Sequence, residues 1–154
     1  MELEFFFPGI PFAKQGDRSR IDRKIGDDMT VQNYIHHYQS PGVKANERFV
    51  KISAWNQLPK PFTPIKDPIA VTELVFIFPP LKSMSKQTIA EIESGEVVYK
   101  TTKPDLTDNL SKGLFDALQG VVYLNDSQIC AMDNVKKIYG EQPGIRLKLK
   151  IMNN

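Results

Sequence analysis

The stretch IAVTELVFIF, residues 69–78, is the most apolar run in the chain and is built mainly from β-branched and aromatic residues. That composition suits the half-buried pleat of a sheet and reads as a central strand. Pro79-Pro80 stops it. Further strands are readable around it. ELEFFF (residues 2–7) is closed by Pro8 and Gly9, and EVVYKT leads towards Pro104. VVYL (121–124) reads as another strand, and QICAMDNVKKIY (128–139) as strand or mixed structure. IRLKLKI alternates strictly: Ile145, Leu147, Leu149 and Ile151 share one face, and Arg146, Lys148 and Lys150 the other. That is the pattern of a half-buried strand. Its basic face either meets nucleic acid or protects an edge.

Helical patterns interleave with these strands. Val31, Tyr34, Ile35 and Tyr38 fall at i, i+3, i+4 and i+7 after Thr30, which predicts a helix ending at Pro41-Gly42. A second is expected over 46–58, and a short one in SKQTIAEIESG with Gly95 as its cap. The clearest runs from Asp108 to Gln119, with Leu110, Leu114, Ala117 and Leu118 on one stripe and Gly120 after it. Interleaved strands and helices give an α+β class (α/β mixed) with a mixed sheet. At 154 residues the expectation is one domain, 1–154, and the proline-rich PKPFTPIKDP is a connector within it. The aromatics Tyr34, Tyr38, Phe49 and Trp55 read as core rather than base-stacking platforms.

Several classes are excluded. No apolar run approaches the ~18 residues of a membrane span. The opening MELEFFFPGI places two glutamates where a signal peptide carries positive charge. The single Cys130 forms no internal disulfide and fits a reducing cytoplasm. One cysteine with the adjacent His36 and His37 does not make a zinc site of the usual spacing. The net charge of +2 says little, but its distribution is uneven. Residues 14–24 carry five basic and two acidic residues, and residues 135–150 carry five basic and one. The first stretch, 14–27, reads as a basic loop. Lys14, Arg18, Arg20, Lys136 and Lys137 are candidates for contact with a phosphate backbone, against the alternative of a solvated face.

The densest chemistry lies in KPDLTDNLSKGLFDALQGVVYLNDSQI, residues 103–129. Asp105, Asp108, Asp116 and Asp126 are four carboxylates within this short span. Singly, each has a plain explanation: capping at Asp108, an i, i+4 pair between Lys112 and Asp116, a turn at Asp126. Together, like charges repel unless a cation neutralises them. A strand-helix-strand unit brings such ends together, at a helix N-terminus suited to phosphate.

KPDLTDNLSKGLFDALQG followed by YLNDSQI resembles the signature of the RusA family of Holliday junction resolvases, K-P-D-x-D-N-L-x-K, D-A-L-x-G and D-D-x-Q-I. FPGIPFAKQGDRSR and KKIYGEQPGIRLKL are similar to the family's opening and closing segments, and residues 25–65 match least. The resemblance implies a RusA-like fold and a homodimeric, Mg²⁺-dependent endodeoxyribonuclease, with Mn²⁺ able to substitute, usually encoded by a phage or prophage. It implies cleavage of branched DNA, the four-way junction of recombination and repair, by paired nicks, with no small-molecule cofactor. Residue by residue, it places metal ligands on Asp105, Asp108 and Asp126, and catalytic roles on Lys112, Asp108 and Asp126. Two departures stand out. Leu106 and Thr107 separate aspartates that the family spaces by one residue, and Asn125 replaces the first acid of the doublet. If Leu106 and Thr107 form a turn, a bulge or an early helical turn, Asp105 is expected to rejoin the other two ligands. A less selective branched-DNA nuclease and a non-catalytic phage DNA-binding module are the competing readings.

Overall fold

The computed structural model describes residues 1–14, 18–38 and 40–153, with Arg18 described by its backbone alone. The apolar run forms β4 (Ile69–Phe78), at the centre of a six-stranded mixed sheet. On one side β4 pairs antiparallel with β8 (Gly144–Ile151), which in turn pairs with β1 (Glu2–Pro8). On the other side β6 (Ile129–Met132) and β7 (Val135–Tyr139) both run parallel to β4, and the short β5 (Val98–Tyr99) closes the edge on β7. The architecture is α+β.

Alternation explains which way each strand faces. Leu3, Phe5 and Phe7 of β1, Leu74, Phe76 and Phe78 of β4, and Ile145, Leu147 and Leu149 of β8 enter one core. There they join Val50 and Ala54 of α1 (Pro41–Gln57) and Leu114, Ala117 and Leu118 of α3 (Lys112–Leu118). The other face carries charge. Glu73 lies 3.6 Å from Arg146 and 3.9 Å from Lys148, which also reaches Glu4 at 3.9 Å. Arg146 and Lys148 on the basic face of β8 are thus matched by carboxylates of their own sheet. Beside it lies a groove of about 740 Å³, lined by Phe6, Ile77 and Ile138 and bordered by Lys136.

Five local expectations change. Residues 31–38 form β3 (Val31–Tyr38), paired antiparallel with β2 (Arg18–Ile25) in a separate two-stranded ribbon. No helix forms there, and the expected basic loop is largely strand. The reason lies in the residue types. Val31, Tyr34, Ile35 and Tyr38 are strand formers, and two of them meet isoleucines in cross-strand pairs, Ile35 with Ile21 and Val31 with Ile25. Pro41 begins a helix rather than ending one. Ser40 caps α1 by accepting from the Val43 N–H, and proline at the first helical position leaves no orphaned donor. Residues 121–124 are not a strand. The chain folds back after α3, with Gly120 at φ 78°, and Val121 and Val122 N–H both donate to the Leu118 carbonyl. Finally, Tyr34, Phe49 and Trp55 are each about half exposed rather than core. The short α2 (Lys86–Glu93) follows its pattern, with Ser85 as N-cap.

Candidate active site

The candidate site begins with a loop held by a lysine. Lys137 on β7 donates from Nζ to the carbonyls of Thr102, at 2.6 Å, and Pro104, at 2.7 Å. Asp105 follows, extended and exposed, as the N-cap of a π-helical turn, Leu106–Ser111. The Leu110 N–H reaches back five residues to the Asp105 carbonyl at 3.2 Å, and Ser111 Oγ donates to the Leu106 carbonyl at 2.7 Å. A π turn accommodates one more residue than an α turn and is frequent at functional sites. Here Leu106 and Thr107 are taken up as an early helical turn. Leu110 and Leu114 remain buried, while Asp108 and Lys112, one turn apart, remain exposed. Among the described residues the Lys112 side chain makes no ion pair or hydrogen bond.

The expected Lys112–Asp116 pair does not form. Asp116 binds Lys14 instead, with Nζ to Oδ2 at 2.9 Å, and Glu47 stands 3.8 Å from the same ammonium. The Lys14 N–H also donates to the Asn109 carbonyl at 3.0 Å. Its Cβ lies over Gly113, where an added methyl would approach to 2.9 Å. Residue 14 therefore clasps the π turn and α3 through backbone, packing and charge.

Asp126 opens a short 3₁₀ turn, Asp126–Gln128, beside α3. Asn125, in the place of the family's first acid, caps this turn. Its Oδ1 accepts from the Ser127 N–H, and its own N–H donates to Gln128 Oε1 at 2.8 Å. Gln128 in turn donates to the carbonyls of Ile65 and Asp67, fixing the turn to the connector. Between Asp116 and Asp126 sits Tyr123, fully buried, its hydroxyl donating to the Phe115 carbonyl at 2.7 Å. Burial pushes its ionisation well above the usual tyrosine range, and the negative charges of Asp126 and then Asp116 push it further.

The three ligand candidates are not gathered. Among the described residues no group of three or more Asp, Glu, His or Cys side chains is placed to hold a metal ion. All-oxygen, carboxylate donors do match the chemical preference of Mg²⁺.

The profile of the family described as "Endodeoxyribonuclease RusA" matches residues 8–150. The chain belongs to the RusA family. It is also 35% identical, over 143 residues, to the uncharacterized protein YqaN of Bacillus subtilis (strain 168), covering 92% of this chain and 95% of that protein. Membership in the RusA family makes this a chain of the nuclease class, and no described helix is long and apolar enough to cross a membrane.

Within this RusA-family fold, the candidate DNA contacts scatter. Lys14 is turned into the clasp and only 17% exposed. The side chain of Arg18 lies outside the described residues. Arg20 stands on the ribbon, 3.0 Å from Asp22. Lys136 and Lys137 are adjacent on a strand and so point to opposite faces, Lys136 to the groove and Lys137 to the site loop. Sequence reasoning had not assigned Lys14, Gln128 and Tyr123 as supports of the site. Their partners are 102, 63 and 8 residues away; no local pattern marks Lys14, whereas Gln128 is marked by the Asn-x-x-Gln spacing of a capping box.

Proposed function

We propose that the chain is a Mg²⁺-dependent endonuclease that resolves four-way DNA junctions by paired phosphodiester hydrolysis, acting as a homodimer. The observation that carries this reading is the display of the motif residues in a chain of the RusA family. Asp105, Asp108 and Lys112 are exposed along one π turn and the start of α3, and Asp126 lies on the neighbouring turn. Asp105, Asp108 and Asp126 would hold Mg²⁺, with Mn²⁺ as a substitute. A bound divalent ion supplies a more acidic water and neutralises charge on the transferring phosphoryl group. Unligated carboxylates repel one another, so their gathering and metal binding are coupled.

The chain's own groups do the rest. Lys112 carries an exposed point charge one turn from Asp108 and is suited to neutralise the scissile phosphate. Lys137 holds the loop that presents Asp105, and the Lys14–Asp116 clasp fixes the helix that presents Lys112. Two nicks across a symmetric junction need two such sites, hence two copies.

The dispersed carboxylates favour a second reading, a non-catalytic DNA-binding module. Incubation with a synthetic four-way junction, a flap and a linear duplex, with and without Mg²⁺, separates the readings. Selective, metal-dependent cleavage of the junction supports the proposal. Cleavage of flaps at an equal rate identifies a less selective nuclease, and binding without cleavage identifies the module.

A further inference from the structure

The β2–β3 ribbon stands apart from the main sheet, and both of its faces are open. Alternation divides it sharply. One face carries Ile21, Ile25, Val31 and Ile35, 60–74% exposed, with Ser19, Arg23, Asn33 and His37. The other carries Arg20, Asp22 and Lys24 on β2, against Gln32, Tyr34, His36 and Tyr38 on β3. On this second face the cations and rings are interleaved. The His36 and Tyr38 rings stack with centroids 6.1 Å apart and planes 21° apart, and the Arg20 guanidinium lies 5.7 Å from the Tyr38 centroid. Asp22 is the one acid among these residues, and Arg20 neutralises it. The hairpin tip is different. Asp27 and Asp28 lie there, and hydrogen bonds from Thr30 hold the Asp28 carboxyl below its usual range, so the tip stays negative.

We infer that the Arg20–Lys24–Tyr34–His36–Tyr38 face of this ribbon is a DNA-binding arm that stacks on unpaired or unstacked bases at a strand branch. The inference rests on the nuclease reading for its choice of nucleic acid. Alternating cations and aromatic rings match a strand in which phosphates and base faces alternate, and stacking tolerates any sequence because every base has a π face. Paired bases inside a duplex hide those faces. The aromatic contacts therefore favour a junction over linear DNA, while Lys24 binds both. The negative tip places the contact along the body of the ribbon rather than at its end. A lone two-stranded ribbon is marginally stable in water, so a bound strand also orders the arm.

The test is equilibrium binding to a fluorescent four-way junction and to a linear duplex of matching sequence, without Mg²⁺, across a salt series. Tyr34→Ala and Tyr38→Ala are expected to weaken junction binding roughly five- to hundredfold and to leave duplex binding nearly unchanged. Tyr34→Phe keeps the ring and binds as wild type. Lys24→Ala lowers the salt slope by about one unit for both DNAs. Junction DNA protects the ribbon from limited proteolysis. Wild-type junction affinity in both tyrosine-to-alanine variants overturns the inference. So does a pattern in which Ile21→Ser and Ile35→Ser change the oligomeric state and the affinity while the tyrosine variants do neither, because the arm is then a protein contact. Wild-type cleavage of the junction in Mg²⁺ is measured in parallel. A chain that binds through the arm but never cleaves keeps this inference and loses the nuclease reading, and a chain that cleaves with an indifferent arm does the reverse.

Discussion

Lys112 and Lys14 show how differently two lysines of one site are used. Lys112 is exposed and its ammonium has no partner among the described residues, whereas the Lys14 ammonium is held against Asp116 at 2.9 Å. Lys137 is a third case, spanning from β7 to two carbonyls of the loop before Asp105. Lys137→Met removes both hydrogen bonds and is expected to cost about 1–2 kcal/mol of stability. It should reduce the turnover of cleavage more than DNA affinity, measured by denaturant unfolding and by single-turnover kinetics. Tyr123 carries a pH prediction. Its folded-state ionisation is raised, so the stability it contributes is fully present below the unfolded value of about 10 and is lost as the pH rises beyond it. Tyr123→Phe should cost about 1 kcal/mol at neutral pH through the lost hydrogen bond to Phe115. It should also flatten the alkaline decline seen in wild type, as read by thermal unfolding from pH 8 to 11. Asp108, Lys112 and Asp126 could be singled out from the sequence because their motif is local. The partner of Asp116 could not, because Lys14 lies 102 residues away.

At the scale of elements, the legible parts were those with a clean period and a single buried face. The strands β1, β4 and β8 and the later helices follow their apolar patterns. The β2–β3 ribbon did not, because Val31, Tyr34, Ile35 and Tyr38 satisfy a helical period while supplying both faces of a strand. With aromatic rings on the second face as well, the apolar alternation of this ribbon is masked in the sequence. The π turn shows the opposite case. The wide spacing between Asp105 and Asp108 marked a local irregularity, and the backbone absorbs it as a wider turn. Its consequence was not legible, since the expected meeting of three carboxylates depends on tertiary placement and is not present among the described residues. The fit of residue 14 over α3 is a further element-scale feature. Gly113→Ala would place a methyl 2.9 Å from Lys14 Cβ, and overpacking of this kind costs about 1–3 kcal/mol. Chemical denaturation of Gly113→Ala should show that loss, with reduced cleavage from a displaced α3. A neutral effect on both would mean that the clasp yields freely.

For the whole molecule, one face of the sheet is covered by α1 and α3, and the site sits at the near edge of that layer. The opposite face carries an ion-pair set among Glu4, Glu73, Arg146 and Lys148. A two-fold homodimer predicts a sedimentation mass of twice 17.5 kDa at micromolar concentration. A monomer that still makes paired nicks would contradict it. The central claim is that Asp105, Asp108 and Asp126 form one metal-dependent site in a chain of the RusA family. The most direct measurement is Mg²⁺-dependent cleavage of a synthetic four-way junction by wild type and by Asp105→Asn, Asp108→Asn and Asp126→Asn, with junction affinity measured alongside. The account predicts cleavage by wild type and none detectable by any of the three variants, with affinity equal to or above wild type because each loses a negative charge near the phosphates. Near-wild-type cleavage by any of the three variants would contradict it.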